Sequence, residues 1–125
     1  MINSGLFDTQ MISKLFEILR LNTLLYGVLS LFVLNEIIKK YFKINPTLTL
    51  VFFTFTPIWI YLSNYFKYDI ALTFWILTAI FFLLKFGFLP SLRNYIIAGI
   101  ACALALSVKV SAIALLPIYI FSFFL

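Results

Sequence analysis

Residues 70–84 read IALTFWILTAIFFLL, Ile70 to Leu84, without one charged side chain. Asp69 stands immediately before the run and Lys85 immediately after it. A charge-free apolar stretch bounded by charges is the pattern of a membrane helix. The same pattern recurs on both sides. Ile18 to Ile38 has a Leu- and Val-rich centre, Leu21 to Leu34, with Arg20 at one end and Glu36, Lys39, Lys40 and Lys43 at the other. Thr47 to Ser63 is entered through Asn45-Pro46, and proline is favourable at a helix start; Pro57 inside it predicts a kink. After a loop over Gly87 to Asn94 come Tyr95 to Val108 and Val110 to Leu125, separated by Lys109.

Composition agrees with that pattern. The chain is 65% hydrophobic and 10% charged, with a mean hydropathy of +1.16, against roughly 45–50% apolar and 25% charged in soluble domains. A soluble fold of 125 residues cannot hide so much apolar surface. The fold class predicted is therefore all-α: a polytopic transmembrane bundle of about five membrane helices. Their bounds are 18–38, 47–63, 70–84, 95–108 and 110–125, in a single partial transmembrane domain covering 1–125. Phe7, Met11, Leu15 and Ile18 share one helical face, so residues 1–17 are expected to form a short amphipathic interfacial helix.

Several segments hold about 15 residues, or about 22 Å at 1.5 Å per residue, which is short against a hydrocarbon core of roughly 30 Å. The join at Ser107-Val108-Lys109-Val110-Ser111 contains no Gly or Pro. One helix from Tyr95 to Leu125 would reach about 46 Å by the same rise, so a break at Lys109 is favoured. With alternating spans, Lys39, Lys40, Lys43, Lys85 and Arg93 fall on one side, and Lys14, Arg20, Lys67 and Lys109 on the other. The lysine cluster places the first group in the cytoplasm.

The chemistry the sequence excludes is broad. There is no histidine, and no CxxC, HExxH or Gly-rich phosphate loop, so a zinc site or nucleotide pocket is not expected. No cofactor is implied; a divalent metal is compatible but not indicated. The single cysteine, Cys102, cannot form an internal disulfide. The net charge is +5, but the basic residues mark the ends of apolar runs and form no phosphate-tracking stripe, so nucleic acid is not an expected partner.

Two charged positions stand out. Asp69 is the only acidic residue after Glu36 and lies in the turn between the second and third segments. A carboxylate there could act as general base or orient a polar substrate; the simpler reading is a helix cap that satisfies free N–H groups. Lys109 falls on the same side. It could pair with a phosphate as a point charge, or snorkel to mark a helix end. Lys67, on that side too, is a further cationic candidate, although an interface anchor explains it readily.

The order of these features resembles the C-type (GT-C) glycosyltransferases that use polyprenyl-phosphate sugars, most closely the dolichyl-phosphate-mannose–protein mannosyltransferase and aminoarabinose transferase branch. The matching stretches begin with Leu19-Arg20-Leu21-Asn22 leading into a helix with Gly27, and with Lys39-Lys40-Tyr41-Phe42 ending it. They continue through Thr56-Pro57-Ile58-Trp59 to Ser63, then Asp69-Ile70-Ala71-Leu72, then Ala98-Gly99 through Ala112, closed by Pro117. Val108 separates Ser107 from Lys109 where the family pattern joins them. The resemblance implies that Asp69 matches the active-site acid of the second external loop, catalytic here. It also implies that Lys109 approaches the donor's phosphate and that 1–17 match juxtamembrane helices; Lys67 stands beside them as a further candidate for substrate binding, from its position alone. The partners implied are the lipid bilayer and a polyprenyl-phosphate-linked sugar, in a multi-pass protein of a prokaryotic cell membrane rather than the endoplasmic reticulum.

The family carries its principal acid in a first external loop, which this sequence lacks. The expectation is therefore a partial transferase, inactive alone, whose further partner is the rest of the same enzyme. The alternative is a small non-enzymatic membrane protein, an accessory subunit or transporter fragment. A transporter would be expected to show broken helices around a midplane site; here the charges sit at helix ends, which favours the transferase.

Overall fold

The computed structural model describes residues 4–56 and 68–124, and every regular element among them is helical. Helix α1 (Ser4–Ile37) continues into a π-helical turn, Ile38–Phe42. Then follow α2 (Pro46–Phe55), α3 (Tyr68–Phe88), α4 (Leu92–Val108), a 3-10 turn (Val110–Ala114) and α5 (Leu115–Phe124). The second half of the 47–63 segment, with Pro57 and Trp59, lies outside the described residues.

The N-terminal half differs from the sequence expectation. No break separates residues 1–17 from 18–38: one helix runs from Ser4 to Ile37. The reason is local. Lys14-Leu15-Phe16-Glu17-Ile18-Leu19-Arg20 holds neither Gly nor Pro and is built mostly of good helix formers. Likewise α3 runs past Leu84 to Phe88: Lys85 and Phe86 are helix-compatible, and the Leu89 N–H still donates to the Lys85 carbonyl at 2.9 Å. Pro90 then disfavours helical geometry at the residue before it. Ser91, extended at φ −137° and ψ 127°, starts α4, its carbonyl accepting from the N–H groups of Asn94 and Tyr95. At the head of α2, Asn45 accepts from the Thr47 N–H at 3.1 Å and Pro46 occupies the first helical position.

Among the described residues, two helices are long and apolar enough to cross a membrane, Thr9–Phe42 and Tyr68–Phe88. Of the other expected spans, α4 and Val110–Phe124 are apolar but shorter, and α2 is the described part of the 47–63 segment. The 17 residues of α4 reach only about 25 Å at 1.5 Å per residue.

Direction follows from named contacts. A Cβ on Gly27 would stand 4.0 Å from Ile70, and Tyr26 meets Phe74 and Trp75. Further along, Tyr41 meets Phe81 and Phe88. Helices α1 and α3 are therefore parallel. In contrast, Phe86 meets Tyr95 while Asp69 meets Lys109, so α4 returns antiparallel to α3. Tyr95 also meets Tyr119 and Phe123, and α5 turns back again.

The packing is inverted relative to a soluble domain. The buried centre is made of Ala79, Ala101, Cys102, Ala105 and Ala112 with Leu115, while Leu21, Phe32, Ile100, Phe121 and Phe124 are exposed. Small residues inside and large apolar ones outside is the arrangement lipid favours, since helix backbones can then approach closely. Hydroxyls are hidden within their own helices: Thr23, Ser30, Thr73 and Thr78 each donate to the carbonyl four residues earlier, at 2.7–3.0 Å. Such back-bonding removes the cost of bare polar groups in hydrocarbon.

Candidate functional site

Helices α3 and α4 fix two charges beside each other. Asp69 is the second residue of α3, in its first turn, where a carboxylate is favoured by the helix dipole. Its neighbour Ile70 is fully buried opposite Gly27, which anchors the helix start against α1. Lys109 is the residue at which α4 ends. Its backbone is extended at φ −157° and ψ 131°, yet stays tied on both sides. The Lys109 N–H donates to the Ala105 carbonyl, and the Lys109 carbonyl accepts from the Ala112 N–H. The chain therefore breaks at Lys109 while its hydrogen bonds hold, and no helix spans Tyr95 to Leu125.

The alanine interface between α3 and α4 brings these ends together. Lys109 Nζ lies 3.1 Å from Asp69 Oδ1, a charge-assisted hydrogen bond between residues 40 apart in sequence. The Tyr68 ring lies under the ammonium, its centroid 5.4 Å from Nζ, within cation–π range. The side chains are 42% and 35% accessible, so a ligand could reach the pair from outside the bundle. Asp69, first through its hydrogen bond and then through its charge, holds the Lys109 ammonium above its usual pKa of 10.5. Lysine is therefore a fixed positive charge at neutral pH.

Of the three site residues expected from sequence, Asp69 and Lys109 meet; Lys67 lies outside the described residues. The sequence placed these two on one side of the bundle, and in the structure they are in direct contact. Tyr68 was not anticipated as a neighbour of Lys109, although its place next to Asp69 was the available signal. Among the described residues, no three His, Cys, Asp or Glu side chains converge into a metal-binding group.

This junction lies within the region that carries the chain's family assignment. A family model described as dolichyl-phosphate-mannose-protein mannosyltransferase matches residues 7–125, and the chain belongs to that family. No curated protein and no solved structure matches it.

Proposed function

We propose that the chain is the membrane core of a multi-pass, GT-C type glycosyltransferase of a prokaryotic cell membrane. It moves a sugar from a polyprenyl-phosphate carrier to an acceptor on the outer face. The observation that carries this reading is the Asp69–Lys109 contact at an accessible end of the bundle, in a chain of the mannosyltransferase family. All five apolar segments cross the bilayer in this reading. The shortfall of α4 and α5 is met by local thinning and by snorkelling of flanking residues.

The pair suits the reaction because each member is what one half of it needs. Lys109, backed by Tyr68, pairs with the donor's phosphate and leaves Asp69. The freed Asp69 carboxylate takes the proton from the acceptor's nucleophilic atom. That atom bonds to the sugar's anomeric carbon as the carbon–oxygen bond to phosphate breaks. The electron pair departs with the polyprenyl phosphate, whose charge Lys109 stabilises. Lys67, two residues before Asp69 in the sequence, is a second cation for the same phosphate in this reading. With only four acidic residues in the chain, a further carboxylate from outside these residues completes the site, and the 125 residues alone do not turn over donor.

The test is transfer of sugar from a polyprenyl-phosphate donor by membranes carrying the full enzyme. Loss of a general base costs about 10²–10⁴-fold, and Asp69→Asn is expected in that range with expression unchanged. Undiminished transfer would refute the role given to Asp69.

A further inference from the structure

At the end of the bundle opposite Asp69, a groove between α1 and α2 changes character along its length. Its wide part, about 460 Å³, is lined by Asn35, Lys39, Asn45, Thr47, Leu50 and Phe55 among others. A second cavity of about 330 Å³, lined by Val28, Leu31, Phe32, Asn35 and Leu50, continues from it. Asn35 and Leu50 belong to both walls, so the two spaces are neighbours on one path. On α1 the path follows Val28, Leu31, Phe32 and Asn35, one helical face, and it reaches Lys39 in the π-helical turn. From Val28 to Lys39 it covers about 16 Å at 1.5 Å per residue.

One lysine, Lys39, lines the polar end, and Lys40 and Lys43 follow it in the adjoining turn. Where α1 passes into the π-helical turn, Ile37 and Ile38 are buried, and Lys39, Lys40 and, just beyond, Lys43 are exposed. Lys43 closes the turn in the left-handed region, at φ 52°. Among the described residues none of the three forms an ion pair; Lys40 only overlies the Tyr41 ring at 5.8 Å. The apolar end has no charge at all. A lysine at the mouth of a groove whose continuation is lined by apolar side chains matches an amphiphile with an anionic head.

We infer that this groove holds one anionic phospholipid, its phosphate at Lys39, with Lys40 and Lys43 adding positive charge from the same turn, and an acyl chain along Val28, Leu31 and Phe32. Charge complementarity selects the head, and the shared Asn35–Leu50 wall carries the tail onward. The inference is independent of the transferase reading: the groove lies beside the last turns of α1, next to the C-terminal end of α3, whereas Asp69 and Lys109 lie at the other end.

The experiment uses purified protein in detergent, titrated with phosphatidylglycerol and phosphatidylcholine, with retained lipid counted by native mass spectrometry. Phosphatidylglycerol is expected to be retained in preference. K39Q/K40Q/K43Q is expected to lose that preference by roughly ten- to a hundredfold, since each surface lysine near an anionic lipid contributes a small share. The corresponding triple arginine variant keeps it. Leu50→Trp, which blocks the path without touching charge, also lowers retention, and glycerol phosphate without a tail does not compete. Four results would each overturn the inference: equal retention of both lipids, loss of preference in the arginine variant, unchanged retention in Leu50→Trp, or competition by glycerol phosphate as strong as by the lipid. Because Leu50→Trp and the arginine variant keep every positive charge, they carry the test even if the glutamine variant does not fold.

Discussion

Lys109 Nζ rests 3.1 Å from Asp69 Oδ1 and ties the end of α4 to the start of α3. Neither residue is placed there by charge attraction alone. Ile70, buried against α1, sets one end, and the bracketing hydrogen bonds of Lys109 to Ala105 and Ala112 set the other. Surface-accessible ion pairs stabilise folds weakly. The pair is therefore better suited to being opened by a ligand than to holding the helices together.

The first prediction is about pH. The Lys109 pKa in the fold is raised by Asp69, above that of an unpaired lysine. The sign is that of a raised folded-state value: the stabilising contribution is complete below the unfolded lysine value and is lost as pH rises through the folded one. Amine-reactive labelling of Lys109, followed by mass spectrometry against pH, should have its midpoint above 10.5, and Asp69→Asn should lower that midpoint. A midpoint that Asp69→Asn leaves in place would show that the pair does not persist in solution.

A second prediction concerns the clasp between α4 and α5. Tyr95 and Tyr119 stack at 4.4 Å, and each hydroxyl donates to the other residue's carbonyl, at 3.3 and 3.4 Å. Gly99 makes room for this: a Cβ there would stand 2.6 Å from the Tyr119 hydroxyl oxygen. Gly99→Ala should push the ring off its carbonyl and cost about 1–3 kcal/mol. In a Tyr119→Phe background the penalty should shrink, because the clashing oxygen is gone. Thermal unfolding in detergent of the four proteins of this cycle measures the coupling; full additivity would contradict the account.

The third prediction separates the two faces of α4. Ala105 is fully buried against α3, whereas Ala103 is exposed. Ala105→Leu should overpack the interface and destabilise by about 1–3 kcal/mol. Ala103→Leu should be close to neutral. Equal effects would mean that the small-residue face is not what joins α3 to α4.

Much of this was legible in the sequence, and the parts that were not have identifiable reasons. The helical class follows from apolar runs bounded by charges, and the head of α2 from Asn45-Pro46. The meeting of Asp69 and Lys109 on one side follows from alternating helix direction. Their direct contact does not, because side-chain reach at a helix end depends on how closely the backbones approach. The uninterrupted α1 was missed because amphipathic spacing near Phe7 to Ile18 describes a face, and a face can continue without a boundary. The Tyr95–Tyr119 clasp joins residues 24 apart, and no local pattern announces it; Gly99, one turn after Tyr95, was its only trace.

A fourth prediction is topological and tests the multi-pass proposal. In a Cys102→Ala background, single cysteines at Lys43 and Pro90 should react with an impermeant reagent from the cytoplasmic side. A cysteine at Val110 should react from the outer side. Reaction of positions 43 and 110 from the same side would rule out alternating spans.

The central claim is that Lys109 exchanges Asp69 for the donor's phosphate, and donor binding measures this most directly. The affinity of a polyprenyl-phosphate sugar should be determined for the wild-type protein, Lys109→Gln and Asp69→Asn in the same lipid. The account predicts opposite signs. Lys109→Gln weakens binding about tenfold or more, the loss of one charge-assisted contact of about 1.5–3 kcal/mol. Asp69→Asn tightens it, because the lysine no longer has a competing carboxylate, even though transfer by the full enzyme falls. Unchanged affinity in both variants, or weaker binding in Asp69→Asn, would contradict it.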